Sequence, residues 1–392
     1  MNPLPAALPY GRQSVSDADI AAVVDVLRSD WLTQGPAVPA FEDAVAAYCQ
    51  ADHAVAVSSA TSALHIACLA LDVGPGDRVW TSPNTFVASA NCARYCGAEV
   101  DFVDIDPGTL NLCPVKLSEK LAQARLRGCL PKVVIPVHFA GQSCDMAAIG
   151  ELAREYGFRV IEDASHAIGG RYKGRPVGDC RHSDITVFSF HPVKIITTAE
   201  GGMAMTRDTN LASRLRLLRS HGISREAEHF VQHSEGPWHY EQQILGFNYR
   251  MTDLQAALGL SQMARLDDFV ARRRALAERY ATLLEGLPLS LQAAHPDSES
   301  AFHLRVVRLQ LEEIGIGRAE IAAGLRQRQV LTNVHYRAVH TQPYYQALGF
   351  APGDFPEAER YARETLSLPL YPELTDAQQD HVAQVLREVL CP

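Results

Sequence analysis

"DITVFSFHPVKIITTAEGGMAMT", residues 184–206, sets two apolar runs on either side of a polar turn. "DITVFSF" and "GGMAMT" read as buried strands, since neither alternates strictly between apolar and polar residues. So little chain joins them that the pair can include an antiparallel strand. Upstream, "HAVAV", "DRVW", "AEVDFVDI", "KVVIPV" and "FRVIED" are further β-branched runs. They are interleaved with helix-period segments such as "TSALHIACLAL" and "DMAAIGELAREYG". Strand–helix alternation from about residue 53 to 206 predicts an α/β protein with a mostly parallel, doubly wound central sheet.

The pattern changes on both sides of this block. Ser16 precedes "DADIAAVVDVLRSD", where Ile20, Val23, Val24 and Leu27 fall on one helical face. The Pro-free run "MTDLQAALGLSQMARLDDFVARRRALAERYATLLEG" predicts one long helix from about 252 to 285, ended by "GLPLS". Strands "HLRVVRLQL" and "LSLPLY" and two or three helices then suit a smaller α+β unit. The expected division is 1–250 for an N-terminal segment and large domain, 251–285 for the connecting helix, and 286–392 for the small domain.

Composition excludes some functions. The 392 residues are 47% hydrophobic, enough for a large core. The formal net charge is -9 and no basic tract is interleaved with aromatics, which argues against nucleic-acid binding. An anionic ligand must be held by a local pocket. Nine cysteines without a C-x-x-C pair fit reduced, mostly buried thiols in a cytoplasmic protein. "MNPLPAALPYGRQS" has no basic start or long apolar core, so neither a signal peptide nor a membrane span is expected.

Of the 36 basic residues only five are lysines: Lys116, Lys120, Lys132, Lys173 and Lys194. Lys116 and Lys120, four apart, read as a solvated helix face, and Lys173 lies in a Gly/Pro turn. Lys194 follows an apolar strand at the edge where open α/β sheets bind ligands. It is either a desolvated nucleophile with a lowered pKa or a side chain snorkelling off a strand end. Asp163 in "RVIEDASHAIGG" ends a strand, where a carboxylate can bind a metal, cap a turn or pair with a cationic heterocycle. Ser59, Ala60 and Thr61 stand where a strand runs into a helix, which suits either a phosphate site or a plain N-cap. Together these three places match the phosphate, ring nitrogen and aldehyde of pyridoxal phosphate.

The motifs "WLTQGP", "SSATSALHIA", "SPNTFVASAN", "VHFAGQSCDM", "IEDASHAIGG", "SFHPVKIITTAEGG" and "GFNYRMTDLQAALG" occur in order along nearly the whole chain. In this set the chain resembles the DegT/DnrJ/EryC1/StrS sugar-nucleotide aminotransferases, which have the fold-type I architecture. Ile195 stands where that pattern has proline, without changing the spacing of Lys194 to the glycine pair. The resemblance implies that Lys194 forms a Schiff base with pyridoxal 5'-phosphate and that Asp163 partners the ring nitrogen. It implies His166 near the phenolic oxygen and Phe86 stacked on the ring. Ser59, Ala60, Thr61 and Ser189 would hold the phosphate, joined by Asn248 of a neighbouring subunit in a homodimer with shared sites. Thr33, Gln34, Arg250, His335 and Tyr336 would line the substrate side, with no metal.

Within that group the chain looks most like members acting on UDP-sugars in pseudaminic acid synthesis. The implied reaction moves an amino group from L-glutamate to C4 of a UDP-linked 4-keto-6-deoxy sugar, through pyridoxamine 5'-phosphate. Another UDP- or dTDP-linked ketone, or lyase chemistry on a sugar nucleotide, is the alternative. A non-catalytic regulatory or binding protein would have no need of the lysine.

Overall fold

The alternating segments fold into one seven-stranded sheet in the computed structural model, which describes residues 7–391. The first six residues of the N-terminal stretch read above lie outside the described residues. The strands are β1 (His53–Val57), β2 (Arg78–Thr81), β3 (Glu99–Phe102), β4 (Val133–Ile135), β5 (Arg159–Asp163), β6 (Ile185–Ser189) and β7 (Gly202–Thr206). Their spatial order is β1-β7-β6-β5-β4-β2-β3. Only β7 runs against its neighbours. Residues 190–201, which join β6 to β7, contain no helix, so the chain turns back beside itself.

Helices α1 (Asp17–Arg28) and α2 (Ala37–Cys49) precede the sheet. Then come α3 (Ala60–Ala70), α4 (Ala88–Tyr95), α5 (Pro114–Arg127), α6 (Met146–Tyr156) and α7 (Thr209–Arg219). Val55, Val57, Ile161, Ile185 and Val187 share a core with α3, α4 and α7. Their neighbours Ala54, Ala56, Val160 and Phe188 pack on the other side, with α2, α5 and α6. Successive strand residues point to opposite faces. Asp163 therefore faces the α3 side with Ile161, and Ser189 with Val187, whereas Glu162 faces the α5 and α6 side.

The run expected to form one helix over 252–285 is two, α8 (Asp253–Met263) and α9 (Leu266–Leu283). Arg265 leaves helical geometry at φ -114°, ψ 6°. The corner separates a segment packed on α1 and α2 from one packed on the C-terminal unit. Asp19 of α1, fully buried, pins it by accepting from Ser261 Oγ (2.6 Å), Gln262 Nε2 (2.8 Å) and Arg265. Burial pushes the Asp19 pKa up, but these donors and the Ser16 amide outweigh it and hold it below its usual value. Asp19 is thus the buried residue of α1, while Ile20 and Leu27 are 54% and 57% exposed.

The α5 lysines also differ from a solvated face. Lys116 pairs with the buried Asp104 at 3.0 Å. Lys120 pairs with Asp101 at 2.7 Å and lies over the Trp80 ring.

The C-terminal unit is an antiparallel sheet of β8 (Leu289–Leu291), β9 (Arg305–Leu309) and β10 (Thr365–Leu368). Its longer helices are α10 (Arg318–Gln327), α11 (Pro356–Glu364) and α12 (Asp376–Leu390). Leu8, far away in sequence, joins this unit and not the large sheet. Its amide donates to Gln329 O at 2.8 Å, its carbonyl accepts from Leu331 at 2.9 Å, and its side chain enters the core formed with Val307 and Leu368. The nine cysteines are all free. Among the described residues no helix is long and apolar enough to cross a membrane.

Candidate active site

The C-terminal ends of β5 and β6 open onto a cavity of about 560 Å³, closed on its far side by residues 333–336 of the C-terminal unit. One wall is the start of α3. Ser59, extended at φ -166°, caps the helix by accepting from the Ser62 amide at 3.1 Å. The next amides, Ala60 and Thr61, have no acceptor within the helix, and both residues line the cavity. Such an N-terminus suits an anion. Gly202 makes this corner possible, since a Cβ there would sit 2.5 Å from Ser59 C and 2.6 Å from Ala60 N. Ser189, at the end of β6, borders the same corner.

Asp163 reaches the cavity from the end of β5. Its Oδ2 accepts from Ser89 Oγ at 2.6 Å, and its Oδ1 from Ser165 Oγ at 2.6 Å and the Ser165 amide at 3.1 Å. Thr85 Oγ1 lies 2.7 Å from Ser89 Oγ and steadies it. Lys194 stands in the turn after β6, half-buried, and lines the cavity. Burial lowers its pKa to about 8, with the Asp163 carboxylate pulling the other way. A fraction of its amine is therefore unprotonated near neutrality. Phe86 is 58% exposed although its ring borders the cavity, which leaves an aromatic face uncovered.

The opposite wall is built of aromatic and imidazole rings. Tyr336 Oη lies 3.1 Å from His166 Nε2, and the Tyr336 and Phe86 rings are 6.3 Å apart. His335 Nδ1 bonds Ser367 Oγ at 2.7 Å, and its carbonyl accepts from Tyr361 Oη at 2.7 Å, which fixes the turn carrying Tyr336. Burial, then Lys194, lowers the His335 pKa to about 4. Burial also holds His166 well below its usual value, helped by Lys194 and His335. This wall is neutral at physiological pH.

Ten of the fourteen residues singled out in the sequence line this cavity: Ser59, Ala60, Thr61, Phe86, Asp163, His166, Ser189, Lys194, His335 and Tyr336. Thr33, Gln34, Asn248 and Arg250 are not in its wall. Thr33 and Gln34 are exposed, Asn248 bridges Ser220, and Arg250 bridges Val57 on the edge strand. Sequence reasoning missed Ser89, Ser165, His303 and Tyr10. Ser165 carried a signal, being two residues past a strand-end aspartate, where a hydroxyl closes an Asx-type turn. His303 carried none.

An anion seat at a helix start, a strand-end carboxylate, a half-buried amine and an uncovered ring face fit the phosphate, pyridine nitrogen, aldehyde and ring of pyridoxal phosphate. Fold and site together define a fold-type I, pyridoxal-phosphate-dependent aminotransferase. The chain belongs to the DegT/DnrJ/EryC1/StrS aminotransferase family, whose profile matches residues 13–387.

Relatives agree along the whole length. The chain is 43% identical over 386 residues to the spore coat polysaccharide biosynthesis protein SpsC of Bacillus subtilis, covering 98% of this chain and 97% of that one. Its fold is similar to that of the putative sugar aminotransferase Spr1654 of Streptococcus pneumoniae, solved in pyridoxal- and pyridoxamine-phosphate forms. That likeness has a TM-score of 0.88 at 30% identity over 98% of both chains. Helicobacter pylori PseC, an aminotransferase involved in the biosynthesis of pseudoaminic acid, gives a TM-score of 0.88 at 29% identity, covering 98% of this chain and 99% of that one.

Proposed function

We propose that this sugar aminotransferase moves the amino group of L-glutamate to C4 of a UDP-linked 2-acetamido-2,6-dideoxy-4-keto-hexose. The product is then UDP-4-amino-4,6-dideoxy-N-acetyl-β-L-altrosamine, for pseudaminic acid synthesis. The observation that carries the amino-transfer chemistry is the half-buried Lys194 amine, with its pKa lowered to about 8, in one cavity with Asp163. The choice of sugar is supported by the full-length likeness to PseC.

Bound pyridoxal phosphate supplies the electron sink that lets an amino group pass between two carbon atoms. Lys194 Nζ would hold the aldehyde carbon until the incoming amine displaces it, and the freed amine would then move the proton at the reacting carbon. Asp163, its other lone pairs engaged by Ser89 and Ser165, keeps the ring nitrogen protonated. The amides of Ala60 and Thr61, with the hydroxyls of Ser59, Thr61 and Ser189, hold the phosphate. Phe86 would cover the ring, His166 would stand on the phenolic-oxygen side, and His335 and Tyr336 would meet the substrate.

The reading includes a homodimer in the cytoplasm. Exposed Ile20, Leu27, Trp31, Leu32, Trp238 and Leu245 offer apolar surface for a second copy. Thr33, Gln34, Asn248 and Arg250 adjoin these residues in sequence, and they would complete the site of the neighbouring subunit. The free cysteines suit a reducing compartment.

The test is conversion of the UDP-linked ketone with L-glutamate. One 2-oxoglutarate should be released per amino sugar, and Lys194→Ala should abolish both half-reactions. Loss of the sugar substrate without glutamate consumption would identify a lyase, and faster turnover of a dTDP-linked ketone would replace the nucleotide. For the dimer, inactive Lys194→Ala and Asn248→Ala chains should regain activity when co-refolded, because each hybrid holds one intact site. No regain would reject shared sites.

A further inference from the structure

The hydrogen-bond directions on the ring-lined wall are fixed from outside the cavity. The Ala140 amide donates to His166 Nδ1 at 3.3 Å, so that nitrogen presents a lone pair. Ala140 is held in the left-handed region at φ 59°, uncommon for a residue with a side chain, and this turn aims its N–H at the imidazole. A neutral His166 then carries its hydrogen on Nε2, 3.1 Å from Tyr336 Oη, and donates it there. The tyrosine oxygen is thereby an acceptor towards His166, and its own hydrogen is left for another partner. No other hydrogen bond of that hydroxyl occurs among the described residues, and Tyr336 lines the cavity.

We propose that Tyr336 presents its hydroxyl hydrogen to an oxygen acceptor at the reacting end of the cavity, with His166 as the positioning residue that turns it there. The inference rests on the aminotransferase reading above and adds a direction to it. Reversing the relay would set the Ala140 N–H against an Nδ1–H. Protonating His166 would do the same, and burial and nearby Lys194 oppose it. His303 closes the far side, its ring 4.4 Å from that of His166 and its buried Nδ1 without a partner. Burial and the Asp163 charge raise the Tyr336 pKa far above the usual value, so the hydroxyl stays a donor.

The acceptor is an electron-rich oxygen, either the ring oxygen of the cofactor or the carbonyl oxygen of the incoming ketone. Tyr336→Phe, His166→Phe and the double variant separate the two. If the ring oxygen accepts, the absorbance of resting Tyr336→Phe and His166→Phe holoenzymes titrates at higher pH than wild type, because an anion has lost a donor. If the ketone oxygen accepts, resting spectra match wild type and the ketone half-reaction alone slows, by about 10²-fold. Either result supports the donor role when the double variant is no worse than Tyr336→Phe and His166→Gln, which can still donate, recovers part of the loss. Wild-type behaviour of Tyr336→Phe in both assays, or defects that multiply in the double variant, overturns it. Nitrogen-15 NMR of the apoprotein supplies a readout without cofactor, in which an Nδ1–H tautomer at His166 would also overturn it. Absent glutamate-dependent turnover in wild type would instead reject the aminotransferase reading.

Discussion

On β5 the neighbouring carboxylates of Glu162 and Asp163 point through opposite faces of the sheet and meet different surroundings. Glu162 lies in a closed network: His138 Nε2 at 2.6 Å on one oxygen, Ser183 and Thr186 on the other. His138 is itself oriented by the Cys144 amide, which donates to its Nδ1 at 3.1 Å. Burial pushes the Glu162 pKa up, yet these partners outweigh it and hold it below its usual value. Asp163 has hydroxyl donors on both oxygens too, but no imidazole, and the cavity it borders is the one that holds Lys194, whereas Glu162 borders a smaller one of about 250 Å³. The lesson is that a buried carboxylate matched by an imidazole within the chain maintains the fold, whereas one given only neutral donors, in the cavity that holds Lys194, is prepared for a partner that arrives later.

Substitutions at the two residues should therefore fail in different assays. Asp163→Ala should lower turnover by at least about 10²–10³-fold, the scale of losing a preorganised electrostatic partner, while thermal unfolding of the apoprotein shifts little. A large fall in melting temperature would erase the contrast. Glu162→Ala should do the reverse, destabilising by about 3–5 kcal/mol because it strands His138, Ser183 and Thr186, with turnover per folded molecule within about twofold of wild type. Glu162 has a depressed native pKa. Its stabilisation is present above the ordinary value of 4.5 and is lost as pH falls through the native one, so Glu162→Gln should flatten the acid limb of stability.

Lys194 sharpens the comparison from the cavity side. With its pKa lowered from 10.5 to about 8, the unfolded chain binds more protons between those values. The cost of burying the ammonium is full below about pH 8 and fades as pH rises towards 10.5. Lys194→Met should thus stabilise the apoprotein by about 2–3 kcal/mol at pH 7 and hardly at all at high pH. Denaturant titrations across this range would read the difference directly.

Much of the large sheet and its site is legible in sequence because the signals are local. Strand runs end at Asp163 and Ser189, a helix starts after Ser59, and Lys194 follows an apolar strand. The antiparallel β7 follows from how little chain separates it from β6. What stays hidden depends on distant partners. No proline or glycine marks the corner at Arg265, which answers to Asp19 on α1. The Lys120 ammonium rests on Trp80, set across the fold. The direction of the His166–Tyr336 bond depends on an amide at Ala140 that no composition rule singles out. Thr33, Gln34, Asn248 and Arg250 have no part in the cavity of one chain, however clear their motifs.

The pairing of Leu8 with Val330 bears on how the molecule is made. A ribosome delivers Leu8 before the strands of the large sheet and Val330 after them, so the C-terminal core cannot close while that sheet is being made. Until then Leu8 has no backbone partner, and the wall bearing His335 and Tyr336 is the last part of the cavity to be made. The cavity is therefore closed by the last of its lining residues to be made, over a wall already laid down by the large sheet.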